Sequence, residues 1–306
     1  MTALADQAAA LQKRFGRPGS IAFEASPLGG VIAILTASGG RAVVALQGAQ
    51  VMSWVPYPGQ ADVLWCSPLA RLDTGKPVRG GIPVCWPWFG PHPNSTSGLP
   101  SHGLVRATPW AVERVAVDTG RVAITFGAQL TAGQQVLAGK DVSVALRVTL
   151  GAELELELIT TNAGSSPIVV SEALHTYLAV SDIGRVRVDG LADRTYLDQL
   201  TGREAVQTGA IDVAQQTDRI YWDTKGPVLL RDAALDRLIG VLSTGSASTV
   251  IWNPWRDKAA SLGDMPPESF RSMLCVETAN VGPRNTVTVA SQDVHRMVCR
   301  LSCAKS

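Results

Sequence analysis

Every second residue is aliphatic in two neighbouring stretches of this chain: Val142, Val144, Leu146, Val148 and Leu150, then Leu154, Leu156 and Leu158. A period of two gives an extended segment one apolar and one solvated face, and such segments pair into antiparallel sheet over a core. Short β-branched or apolar runs bounded by Gly, Ser, Asp and Pro recur at residues 31–35, 41–46, 51–54, 62–65, 110–116 and 122–126. More follow at 168–180, 184–188, 228–230, 237–241, 249–252, 272–276, 285–290 and 294–301. No strand–helix rhythm separates them, which disfavours a parallel α/β fold. No repeat of fixed period points to a propeller. The expectation is all-β: a large antiparallel β-sandwich forming one domain over 21–306. A short N-terminal helical extension over 1–20 precedes it, with Leu4, Ala8, Leu11 and Phe15 at helical spacing before Gly16 and Pro18. The more polar segment 194–221 reads as a long loop or a pair of edge strands.

Composition bounds the partners. A content of 46% hydrophobic and 17% charged residues supplies a substantial core. The net charge of +1 provides no global field toward nucleic acid or anionic lipid, so the expected partner is a small molecule and anion recognition must be local. The five cysteines, Cys66, Cys85, Cys275, Cys299 and Cys303, form no CxxC pair and leave one over, which fits free thiols in a reducing compartment. No run reaches the roughly 18 apolar residues of a membrane span, and the start lacks a secretory pattern. A cytoplasmic monomer is the expectation.

The stretch Arg79-Gly80-Gly81-Ile82-Pro83-Val84-Cys85-Trp86-Pro87-Trp88-Phe89-Gly90-Pro91, with Ser101-His102-Gly103-Leu104-Val105-Arg106 close behind, cannot be an ordinary helix. It reads as a rigid, irregular wall. Either it plugs the end of a β-core with tryptophan, or it faces a flat, hydroxylated, anionic ligand with aromatic surface and the forked donors of Arg79 and Arg106.

Two residues break the strand pattern. Alternation over 168–180 sets His175 on a face with Ser171, Ala173 and Tyr177, which leaves either a structural histidine or one with room for a ligand. Over 272–280 it sets Glu277 with Met273 and Cys275, inside an apolar strand. A buried carboxylate is costly unless paired, hydrogen-bonded or neutral, so an ion pair with Arg271 or Arg284 is the structural alternative to a functional role. Together a His and a Glu suit proton transfer on a sugar, one taking a hydroxyl proton and the other protonating the ring oxygen. His102 offers a second imidazole. No GxSxG elbow supports a serine hydrolase. His92, His102, His175 and His295 lack HxH or HExxH spacing, so no metal site is expected.

Several motifs, in order, carry a family resemblance: Arg79-Gly80-Gly81-Ile82-Pro83 with Trp86-Pro87-Trp88-Phe89-Gly90, His102-Gly103-Leu104-Val105-Arg106, Glu172-Ala173-Leu174-His175-Thr176-Tyr177, Val250-Ile251-Trp252-Asn253-Pro254-Trp255, and Cys275-Val276-Glu277-Thr278-Ala279-Asn280. The chain resembles the hexose-6-phosphate mutarotases, the glucose-6-phosphate 1-epimerase branch of the aldose 1-epimerase family, over about residues 20–290. The resemblance implies a galactose mutarotase-like supersandwich that interconverts sugar-phosphate anomers without cofactor or metal. It implies Glu277 as general base and His175 as general acid, and Arg79, His102 and Arg106 as substrate-binding residues. Ser101 stands where this branch often has a substrate-binding Gln. Asp218 matches the family's substrate-binding aspartate, with Asp198 as the second candidate and a turn residue paired to Arg219 as the plain reading.

Overall fold

A computed structural model describes residues 2–72, 75–92, 94 and 98–305. The alternating segments form a hairpin, Val142–Leu150 against Leu154–Asn162, whose register sets Leu150 against Leu154, Val148 against Leu156 and Leu146 against Leu158. All six are fully buried, so this period-two face is the floor of the core. The opposite face is wet: Glu155 and Glu157 meet Arg300 and Arg296 of the neighbouring strand Asp293–Ala304. These half-exposed pairs contribute at most about 1 kcal/mol each, so the hairpin is held by its leucines. Leu156→Ala should therefore cost about 2–5 kcal/mol in urea unfolding, whereas Val136→Ala, at a side chain 77% exposed, should stay within about 0.5 kcal/mol.

The hairpin belongs to an eight-stranded antiparallel sheet running, in order, Val186–Asp189, Val228–Asp232, Arg237–Thr244, Asp293–Ala304, Leu154–Asn162, Val142–Leu150, Arg121–Ala128 and Trp110–Asp118. A second eight-stranded sheet runs Arg203–Val206, Thr195–Asp198, Thr217–Trp222, Ser248–Asn253, Met273–Asn280, Glu172–Leu174 and Val84–Cys85, with Tyr177–Ala179 also on Met273–Asn280. A separate four-stranded meander runs from Ile21–Ala25 to Val51–Val55. The helix Thr2–Phe15 buries Ala8 and Phe15, and its Gln12 Oε1 accepts the Phe23 N–H at 2.8 Å, docking it on the first strand. No helix among the described residues is long and apolar enough to cross a membrane.

Three local expectations are refined. Residues 168–180 are not one strand but three short ones. Ile168–Val170 leaves to pair with Val287–Val289, and the chain interrupts its ladder at His175 and Thr176. Residues 62–65 make one isolated bridge, Leu64 with Leu178, and the Asp62 carboxylate takes the Trp54 and Leu64 N–H groups. Segment 194–221 is a pair of edge strands, Thr195–Asp198 and Arg203–Val206, with Thr217–Trp222 next inward. A helix at Ala132–Ala138 was not expected. Its start is marked by a capping box between Thr131 and Gln134, a local signal legible in the sequence.

Candidate active site

Met273–Asn280 is buried along its whole length, on both faces. Most of its side chains pack into the hydrophobic core, and Glu277 stands on the floor of a cavity of about 640 Å³. Antiparallel register decides what stands on that floor. Leu174 pairs with Thr278 and Tyr177 with Cys275, so the same register sets His175 opposite Glu277. Residues directly opposite on one face bring their side chains together, and His175 Nε2 lies 3.3 Å from Glu277 Oε1. On the other flank Val250 faces Glu277, Trp252 faces Cys275, and Asp218 faces Trp252. All seven residues singled out in the sequence, Arg79, Ser101, His102, Arg106, His175, Asp218 and Glu277, line this one cavity.

The alternatives left open for these residues now separate. Arg271 pairs with Asp182 and Glu268, and Arg284 with Glu204, so neither neutralises Glu277. Asp198 accepts the Leu200 and Thr201 N–H groups and closes a turn, while Asp218 faces the cavity and accepts from Gln199 Nε2. The tryptophans of the proline-rich wall are scaffold. Trp86 is buried with its N–H on Thr160 Oγ1, and Trp88 donates to the Pro100 carbonyl. Gly103 packs so tightly against Trp86 that a Cβ there would sit 2.0 Å from the Trp86 carbonyl oxygen. That contact and the left-handed φ of 65° at His102 fix the imidazole in place. His102 Nδ1 accepts the Gly90 N–H, which leaves the ring proton on Nε2 as a donor.

The two arginines differ. Arg79 is already engaged: its Nε and Nη2 fork onto Asp264, and its Nη1 donates to the Tyr177 hydroxyl at 3.1 Å. Arg106 forms no salt bridge among the described residues, and its buried Nε has no partner. Sequence reasoning missed Phe89, Gln199, Trp252 and Asp264 as cavity residues. Phe89 and Trp252 were visible only as parts of motifs, and Gln199 and Asp264 carried no local signal.

Electrostatics in the cavity are set first by burial. Glu277 is raised well above the usual carboxylate range by burial and then by Asp218, with Arg106 opposing. His175 is pushed well below the usual imidazole range by burial, then by Arg106, His102 and Arg79. His102 is lowered to about 3 by burial and the same two arginines, so it is neutral at physiological pH. The Asp218 carboxyl is pushed up to about 6, chiefly by burial. Tyr177 stacks on the His175 ring at 4.8 Å, and Trp252 meets it edge-on. His175 Nδ1 and Glu277 Oε2 remain buried and unpartnered. The result is a buried His175–Glu277 pair beside Arg106, which forms no salt bridge among the described residues.

The profile of the aldose 1-epimerase family matches residues 31–302. The chain is 37% identical over 240 residues to a Salmonella typhimurium protein named "Putative glucose-6-phosphate 1-epimerase", covering 78% of this chain and 79% of that one. The solved structure of the Salmonella typhimurium protein YeaD, described as a "putative mutarotase", covers 97% of this chain and 100% of its own, with a TM-score of 0.86 and 30% identity. A galactose mutarotase-like protein from Clostridium acetobutylicum shares the fold at 15% identity, with a TM-score of 0.72 over 94% of this chain and 98% of its own.

Proposed function

The chain belongs to the aldose 1-epimerase family and is an isomerase, and from that premise we propose that it interconverts the α and β anomers of a hexose 6-phosphate without a cofactor. The observation that carries this reading is the 3.3 Å His175–Glu277 pair in a cavity that also holds Arg106, which forms no salt bridge among the described residues. Glu277 takes the proton of the anomeric hydroxyl while His175 gives one to the ring oxygen. The C1–O5 bond breaks, the aldehyde turns about C1–C2, and closure on its other face reverses both transfers. One proton leaves the sugar and one enters it at each stage, so side chains suffice.

The phosphate does more than anchor. Arg106 and Arg79 are among the groups that hold His175 low. A phosphate dianion beside Arg106 cancels part of that field and favours the imidazolium that the ring oxygen needs, while it also removes part of the pull that lowers Glu277. Binding energy from a remote, non-reacting group is thereby used at the reacting centre. Arg106 is the phosphate ligand in this reading, since Arg79 is held by Asp264. The His102 Nε2–H and the Asp218 carboxylate are left to orient sugar hydroxyls, while Ser101 reaches less far than a Gln would. Polarimetry on freshly dissolved α-glucose 6-phosphate tests the proposal: rotation should relax faster than the spontaneous rate, and an unchanged relaxation with every hexose phosphate would overturn it.

Asp218 gives a pH signature. Its carboxyl, at about 6, is an ionised acceptor above that pH and neutral below it. The sugar phosphate also titrates near 6, so the diagnostic quantity is the ratio of Kd for Asp218→Asn to that for the wild type. By calorimetry the ratio should be large near pH 7.5 and fall toward one below about pH 6; a pH-independent ratio contradicts the role.

A further inference from the structure

We propose that His175, Cys275 and Glu277 form an inhibitory site for a thiophilic divalent cation such as zinc. This metal would compete with the sugar and is no part of the catalytic cycle. The three candidate ligand atoms lie within 4.8 Å of one another. Zinc takes nitrogen and oxygen ligands at about 2.0–2.1 Å, and on a tetrahedron two such ligands stand roughly 3.3–3.4 Å apart. The His175 Nε2–Glu277 Oε1 separation is 3.3 Å, so this edge of a coordination sphere already exists. Cys275 is on the same strand face two residues before Glu277, and its sulfur needs only a shift of roughly 1 Å to reach the longer zinc–sulfur bond of about 2.3 Å.

A second observation points the same way. His175 Nδ1 and Glu277 Oε2 are buried without partners, and both side chains are more than nine-tenths buried. The set is polar and under-satisfied, and the cavity side supplies the open fourth position for water or a sugar hydroxyl. Binding expels the thiol proton, and the metal neutralises the resulting thiolate and the carboxylate at once. It occupies the lone pairs that proton transfer uses, which makes it an inhibitor. Short-range spacing rules could not find this site, because His175 comes from the break between Glu172–Leu174 and Tyr177–Ala179 and Cys275 and Glu277 from the strand paired with both.

Cobalt(II) titrated into the full chain reads the site without turnover, so the result stands apart from the sugar assignment. A sulfur-to-cobalt charge-transfer band should appear in the near ultraviolet, survive Cys66→Ser and disappear in Cys275→Ser. Cys275→Ala provides the same loss if the serine variant unfolds. Glu277→Gln should weaken cobalt binding by about 100-fold, given that even groups that only orient a ligand are worth 10–100-fold. No sulfur band in the wild type, or a band that survives loss of Cys275, overturns the proposal. If the chain turns over sugar phosphate, micromolar zinc should inhibit it, with the inhibition relieved in Cys275→Ser and by excess substrate.

Discussion

Glu277→Gln is expected to lower the rate of anomer exchange by about 10²–10⁴-fold, the range that one general base contributes, and to leave the protein at least as stable as the wild type. The amide matches the carboxyl in shape but cannot take the anomeric proton. The stability side follows from linkage. Glu277 is raised in the folded state chiefly by burial, so its stability contribution is fully present below the unfolded value near 4.3 and is lost as pH rises toward the folded value. Glutamine carries no such penalty. At neutral pH the variant should gain on the order of 1 kcal/mol, as other relieved active-site strains do, and the gain should vanish toward pH 4. Urea unfolding at both pH values, with polarimetry on the same samples, checks both halves. A fully active variant removes Glu277 from the mechanism.

Arg106→Ala should cost about 10²-fold in kcat/KM for a hexose 6-phosphate and little for the free hexose. A hydrogen bond to a charged group is worth about 1.5–3 kcal/mol, and roughly 2.7 kcal/mol is 10²-fold. Because Arg106 has no salt bridge among the described residues and its buried Nε lacks a partner, truncation leaves no carboxylate orphaned. The loss therefore reports the ligand rather than a broken internal pair. Arg79→Ala differs: it would free Asp264 and the Tyr177 hydroxyl, and should impair both sugar types alike. Equal losses for the two sugars in Arg106→Ala would contradict a phosphate role.

Much of the fold was legible because period two survives in the hairpin at Val142–Leu150, where neither Gly nor Pro intervenes. His175 and Glu277 were legible for the converse reason, as polar residues on strands whose neighbours are apolar. What stayed hidden depended on register between distant strands. Trp252 reaches the cavity because it pairs with Cys275 on one side and Asp218 on the other, and no local pattern encodes that. The choice between Arg79 and Arg106 turns on Asp264, 185 residues from Arg79. The choice between Asp198 and Asp218 turns on a turn that the Asp198 carboxylate closes through backbone N–H groups. The break in 168–180 arises because Ile168–Val170 finds a separate partner in Val287–Val289.

The most direct test is two-dimensional NMR exchange on one sample holding both glucose and glucose 6-phosphate with catalytic amounts of the chain. Cross-peaks linking the α and β C1 protons of glucose 6-phosphate should build up far above the spontaneous rate, with glucose lagging and both signals lost in Glu277→Gln. Exchange of both sugars at the spontaneous rate with the wild-type chain would contradict the assignment of His175 and Glu277 as the acid and base of a hexose-phosphate epimerase.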